Sequence, residues 1–185
     1  APPSNLMWHT VIDLYGKLRN GISQIRLDNP YDDSIIAGTV AYHPSDDRFL
    51  LFTVDTDTIP TNTLSAVNAI VDPQRKGPGS VGGLPAATTG QRYLFITNST
   101  GSSSTTNPGN AEAWRGENGT PLIANANDIV EYDGTRWNVV FNSSLDSTVQ
   151  YVTNTTTLVQ YRWAGGEWLK SYEGLYPEGG WSLVL

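Results

Sequence analysis

The chain has 185 residues, no cysteine and a formal net charge of −7 at pH 7. A chain of this length buries roughly two thirds of its unfolded surface and needs no disulfide to hold a core; without cysteine, disulfides, thiolate metal sites and thiol nucleophiles are excluded. The acidic balance repels phosphate backbones, which argues against nucleic acid as a partner, and no apolar run reaches the length of a membrane-spanning helix.

The N-terminus, Ala1-Pro2-Pro3-Ser4-Asn5, has no basic region, no apolar stretch of signal-peptide type and no initiator Met. The chain is therefore expected to be a fragment, a processed product or a domain of a longer protein. Zero cysteine favours assembly in a reducing cytoplasm. Charged residues make up only 16% of the chain, and Asn, Thr, Ser and Gly take their place, as on extracellular β-proteins and virion proteins.

The first patterned segment is 6–27. Val11, Leu14, Tyr15 and Leu18 fall at i, i+3, i+4 and i+7, one face of a helix, and Gly16 interrupts that pattern. Asp28-Asn29-Pro30 is a turn. Ile35 to Tyr42 and Arg48 to Val54 then read as two strands joined through His43-Pro44-Ser45-Asp46-Asp47, the clearest hairpin of the first half. Thr61 to Val71 predicts a short helix, with Leu64, Val67, Ile70 and Val71 on one side and Thr61 or Asn62 as cap. From Asp72 to Gly83, Gly and Pro are too dense for a helix or a central strand, so this stretch is expected to be an exposed, mobile linker or loop. Gln91 to Thr97 is a strand, Asn98 to Asn110 a mobile loop, and the remainder a run of short strands with Gly turns.

That remainder repeats itself. Ile129-Val130-Glu131-Tyr132 matches Leu158-Val159-Gln160-Tyr161, and Gly134-Thr135-Arg136-Trp137 matches Gly165-Gly166-Glu167-Trp168; Gly179-Gly180-Trp181 gives a weaker third echo. Each unit reads as strand, Gly turn, and a strand beginning near Trp. Asp133-Gly134 and Ala164-Gly165-Gly166 suit tight hairpin turns, and the Trp just past each turn can lie back over the hairpin and cover its apolar face. The expected fold is mainly β: antiparallel hairpins in a sandwich- or meander-like arrangement with one or two short helices. The expected division is a β-rich N-terminal part over 1–71, a Gly/Pro linker or loop over 72–83, and a repeated-hairpin module over 84–185.

Over 84–185 the order Leu84-Pro85, Gly90-Gln91-Arg92-Tyr93-Leu94, Tyr132-Asp133-Gly134-Thr135-Arg136-Trp137, then Tyr161-Arg162-Trp163 with Gly165-Gly166-Glu167-Trp168 resembles a module of tailed-phage (T4-like) structural proteins. In that module a Pro … Gly-x-Arg-Tyr strand precedes repeated Tyr-Asp-Gly-x-x-Trp hairpins. The second copy departs from the pattern, with Trp163-Ala164 where Asp-Gly would sit. The resemblance implies a virion protein of the tail, baseplate, fibre or capsid surface, assembled in the bacterial cytoplasm. It implies partners among other virion proteins in a symmetric assembly, and neither catalytic residues nor a cofactor. Residues 1–83 carry no such resemblance.

Sequence signs of catalysis are weak. Asp55-Thr56-Asp57 has a spacing that can grip a divalent cation from one strand face, but it reads first as a solvated strand end. Asp32-Asp33 and Asp46-Asp47 read as turn formers. Glu131, Glu167 and Glu173 have nothing in sequence to set a glycosidase separation. His43 reads as a turn residue and His9 as packing, and there is no Gly-x-Ser-x-Gly elbow. Gly77-Pro78-Gly79 lacks the Gly-Lys-Ser/Thr end of a phosphate loop. The functional candidates are the aromatics of the last third. Most are expected in the core, with Tyr161, Trp163, Tyr176 and Trp181 proposed as an interaction surface and Trp163 as the more exposed of the hairpin tryptophans. The leading expectation is a non-enzymatic structural protein working by protein–protein contact; the alternative is a carbohydrate-binding, receptor-recognising module that stacks a host surface glycan on those rings.

Overall fold

The computed structural model describes residues 7–75, 77–99 and 113–185. The protein is mainly β, with 35% of the chain in strands and 9% helical. The chain divides into two compact units, one built from 1–61 together with 169–185, the other from 62–168.

In the first unit, α1 (Trp8–Tyr15) is followed by β1 (Gln24–Asp28), β2 (Ile35–Tyr42) and β3 (Leu50–Val54). The expected helical stripe is only partly realised. Gly16, at φ 133°, donates its N–H to the Ile12 carbonyl at 2.7 Å and ends the helix, so Leu18 packs from the following loop rather than from the helix. Ile12 is the buried helical residue, while Leu14 and Tyr15 are exposed. The β2–β3 hairpin forms as expected, with Tyr42 opposite Leu50 and Gly38 opposite Val54. His43 closes its turn by accepting the Ser45 and Asp46 N–H groups on Nδ1. Along β2, Ile36, Gly38 and Val40 face inward, the period of a half-buried strand. The fourth strand of this sheet comes from the far end of the chain. The last strand, β11 (Trp181–Val184), runs antiparallel to β1 with Leu27 opposite Trp181 and Ile25 opposite Leu183, giving the order β11-β1-β2-β3.

In the second unit, β4 (Ala69–Val71), β5 (Arg92–Phe95), β6 (Ile129–Tyr132) and β7 (Trp137–Phe141) form one sheet in that order; β8 (Gln150–Asn154), β9 (Val159–Ala164) and β10 (Glu167–Lys170) form another. Both halves of the repeat thus fold as antiparallel hairpins, and β5-β6-β7 and β8-β9-β10 are meanders. The helix expected over 61–71 is absent. The Thr63 and Leu64 N–H groups donate to the Tyr151 carbonyl, Val67 donates to Thr153, and Ala69–Val71 pairs in parallel with Tyr93–Phe95. These bonds to β8 and β5 override an apolar spacing that fits a helix equally well.

Both faces of the β4–β7 sheet are covered. On one, Tyr93, Phe95, Val130 and Trp137 pack with Trp114 and Leu122; on the other, Leu94, Ile129 and Phe141 pack with Val152 and Trp163 from the second sheet. That second arrangement is sheet on sheet, the sandwich geometry. The stretch over 72–83 is not a linker between units, because it lies inside the second one. Pro73 and Gly77 are buried, and the Gly79 and Gly83 N–H groups donate to the Leu84 and Ser80 carbonyls. The Ser/Thr-rich run over 98–110 falls mostly outside the described residues. Among the described residues no helix is long and apolar enough to cross a membrane.

Candidate interaction surface

The four aromatics singled out in the sequence separate into two groups. Trp163 lies in the core of the second unit with only 4% of its surface exposed. Its ring centroid is 5.5 Å from those of Phe141 and Trp168, and its Nε1–H donates to the Asp146 carbonyl at 2.8 Å. The expectation that it is the exposed hairpin tryptophan is therefore wrong. Tyr161 and Trp163 share a strand face, and that face is the one turned to the other sheet. Tyr161 is half-buried against the same cluster. Trp168 donates its Nε1–H to the Asn127 carbonyl, and Trp137 is buried as expected. Beside Trp163 a hollow of about 330 Å³ is lined by Ser143, Ser144, Asp146 and Gly165. Its carboxylate is already occupied, because Asp146 accepts from Thr148 N–H, Thr148 Oγ1 and Gln150 Nε2; the Thr148 bonds hold its pKa below the usual carboxylate value.

Tyr176 and Trp181 come together in the first unit. Alternation along β1 turns Ile25 and Leu27 to the inner face, and the β1–β11 register sets Trp181 opposite Leu27. Trp8, on the first turn of α1, meets the Trp181 ring edge-on at 5.4 Å and 69°, a favoured aromatic geometry. The segment before β11 folds over the rim: Tyr176 donates its hydroxyl to the Tyr172 carbonyl at 3.0 Å, and Gly180 N–H donates to the Pro177 carbonyl at 2.9 Å. The result is an open groove of about 610 Å³, within the size range of ligand pockets. Its walls are Trp8, Ile25, Leu27, Leu175, Tyr176, Pro177 and Trp181, and among the described residues Glu178 is the one charged residue lining it. Leu175 stands 93% exposed on this rim. Arg26 points away, on the outer face of β1. The unit as a whole carries ten Asp and Glu against five Lys and Arg, a net −5 of the chain's −7.

The remaining sequence candidates are dispersed. Asp55 and Asp57 are both exposed, and Asp55 uses its carboxylate to cap the Asp57 N–H of a 3₁₀ turn. Asp46 pairs with Arg48 at 2.7 Å, and that bond draws its pKa down to about 2. Glu131 is ion-paired with Arg92 at 2.8 Å. His9 lies 3.5 Å from Asp13 on the exposed side of α1. Among the described residues no three His, Asp or Glu side chains are grouped to hold a metal ion. Sequence reasoning found Tyr176 and Trp181 but missed Trp8, Ile25 and Leu27. These residues meet only because β11 returns to β1, a pairing across more than 150 positions with no local signal. The one available clue was the apolar run Leu175-Tyr176-Pro177, set among glycines where a solvated loop would carry polar residues.

Comparison with protein-family models, with curated proteins and with solved structures finds no match for this chain.

Proposed function

We propose that this chain is a structural and interaction module of a tailed-phage virion, acting without catalysis or cofactor through protein–protein contact, with the Trp8–Tyr176–Trp181 groove as its docking site. The virion assignment rests on the resemblance carried by 84–185, and its place is the tail, baseplate, fibre or capsid surface. The interaction reading rests on one observation: two tryptophans, a tyrosine, Ile25, Leu175 and Pro177 are left part-open or exposed over buried Leu27 on an acidic unit. Trp and Tyr anchors in a concave apolar site are the usual centres of protein interfaces. The occupant is a segment of a neighbouring virion protein.

Leu175→Asp tests this reading. The side chain is exposed, so the variant folds as wild type and places a charge in the groove. Capture of virion proteins on the immobilised chain, and incorporation of the chain into particles, should both fall about tenfold or more. Undiminished capture by Leu175→Asp would remove the groove from the interface. The second reading, a receptor-glycan site, draws on the same rings and on Glu178; specific glycan binding that Leu175→Asp abolishes would favour it.

A further inference from the structure

We infer that the groove of the first unit takes an extended, proline-bearing segment flanked by Lys or Arg. This rests on the interaction reading above and names the chemistry of the partner.

The walls have very little to offer a peptide backbone. The Tyr176 hydroxyl already donates within its own loop, and among the described residues Glu178 is the one charged group lining the groove. An ordinary peptide buried here would bring a run of N–H groups to a wall whose side-chain acceptors, among the described residues, are the Tyr176 hydroxyl oxygen and the Glu178 carboxylate, and each N–H left unpaired would oppose binding. Proline has no N–H to lose. Its ring is flat and apolar and packs against indole and phenol faces, and a proline-rich segment is already extended before it binds, so less chain entropy is lost. Aromatic-lined grooves take such segments for these reasons. A sugar, which must satisfy several hydroxyls, finds one carboxylate and little else.

Charge selects what flanks the prolines. None of the unit's five bases is among the described residues lining the groove: Arg48 is paired with Asp46, Lys170 faces Glu173 at 3.8 Å, and Arg26 points to the opposite face of β1. With a net −5 around it and Glu178 in its wall, the groove repels acidic segments and attracts basic ones. The same charge disfavours a second copy of this chain, because docking two such faces brings like charges together.

The test is selection of a random dodecapeptide library on the full chain, followed by titration of synthetic peptides by isothermal calorimetry. Selected peptides should be enriched in Pro with Lys or Arg nearby. Replacing Pro by Ala, or Lys and Arg by Glu, should each weaken binding about tenfold or more. Glu178→Lys should weaken the basic peptides by about the same factor, and Leu175→Asp should abolish binding with the melting temperature unchanged. Selection of acidic or proline-poor peptides, selection of none, or binding indifferent to Leu175→Asp and Glu178→Lys would overturn the inference. If the selected peptides are proline-poor while Leu175→Asp still abolishes capture of virion proteins, the partner's chemistry is wrong and the interaction reading stands. If capture is indifferent to Leu175→Asp, the interaction reading itself fails.

Discussion

The two units use tryptophan in opposite ways. In the 62–168 unit Trp114, Trp137 and Trp163 are sealed, at 1, 2 and 4% exposure, and the part-buried Trp168 packs against that core. In the first unit Trp8 and Trp181 are half-buried around an open groove. Coverage of the sheets accounts for the contrast. The β4–β7 sheet has side chains packed on both faces, one of them by a second sheet. The β11-β1-β2-β3 sheet has, within its own unit and among the described residues, a single eight-residue α-helix, about 12 Å long at 1.5 Å per residue. Its longest strand, β2, has eight residues and spans about 27 Å at 3.4 Å per residue. The helix covers the inner face near Val40 and Phe52, and among the described residues the corner where Leu27 meets Trp181 is left to a loop that does not close over it. Trp137 and Trp181 each open a strand behind a glycine turn; which becomes core depends on what lies across the sheet.

Truncating the sealed rings gives the largest expected effects. Trp137 touches Tyr93, Trp114 and Tyr132, so Trp137→Ala should cost about 3–5 kcal/mol, the range for deleting a buried large aromatic. Trp163→Ala should cost about as much, since its ring is equally enclosed. Trp181→Ala should cost less, about 1–2 kcal/mol, because the residue is only part-buried, and should remove binding at the groove. Urea denaturation followed by far-UV circular dichroism ranks the three. A Trp181→Ala loss equal to that of Trp137→Ala would erase the distinction between sealed and open rings.

Overpacking probes the first unit from the other side. A Cβ on Gly38 would collide with the Phe52 ring and with the Thr53 carbonyl on the neighbouring strand. Gly38→Ala should therefore cost about 1–3 kcal/mol, read by the same denaturation. The backbone carbonyl cannot swing aside, so adding Phe52→Leu to relieve the ring should recover only part of the loss.

How much of this was legible follows from how local each feature is. The β2–β3, β6–β7 and β9–β10 hairpins were readable because turn residues and strand formers sit side by side. Even there the turn chemistry differs in detail. Gly165 and Gly166 both adopt positive φ, as the sequence suggested for a tight turn. At the first hairpin only Gly134 does, and the loop is the four residues 133–136 between the paired Tyr132 and Trp137. There the Asp133 carboxylate holds the turn by accepting the Thr135 and Arg136 N–H groups. The β4–β5 parallel pair, the β1–β11 closure and the inward turn of Trp163 were not readable, because each depends on a partner distant in sequence that composition and periodicity do not name.

Acid should weaken both hairpin turns. Hydrogen bonds from Arg136 and Thr135 hold Asp133 well below the usual carboxylate range, and Asp46 lies at about 2 through its bond to Arg48. Both folded-state values lie under the unfolded value of about 3.9. Their contribution is therefore complete above about pH 4 and is lost as pH falls through the folded values. Carbon-detected NMR titration should show the Asp46 carboxyl titrating near 2 and Asp133 well below the usual carboxylate range. Asp133→Asn should lower the melting temperature at neutral pH and flatten the acid limb of the profile, so that variant and wild type converge at low pH.

The smallest expected effect is a gain. Leu158 ends the β8–β9 turn at φ 60°, with 77% of its side chain exposed. The left-handed region costs a residue with a Cβ about 1–2 kcal/mol, and this leucine has little burial to offset it. Glycine adopts that conformation freely but gives up more chain entropy on folding, so Leu158→Gly should stabilise by about 0.5 kcal/mol net. A rise of a degree or two in melting temperature, with unchanged capture of virion proteins, would show the tip to be local strain without a role in docking. A fall in capture despite the rise would mark this exposed apolar tip as a second contact, and the sealed unit would then carry an interface of its own.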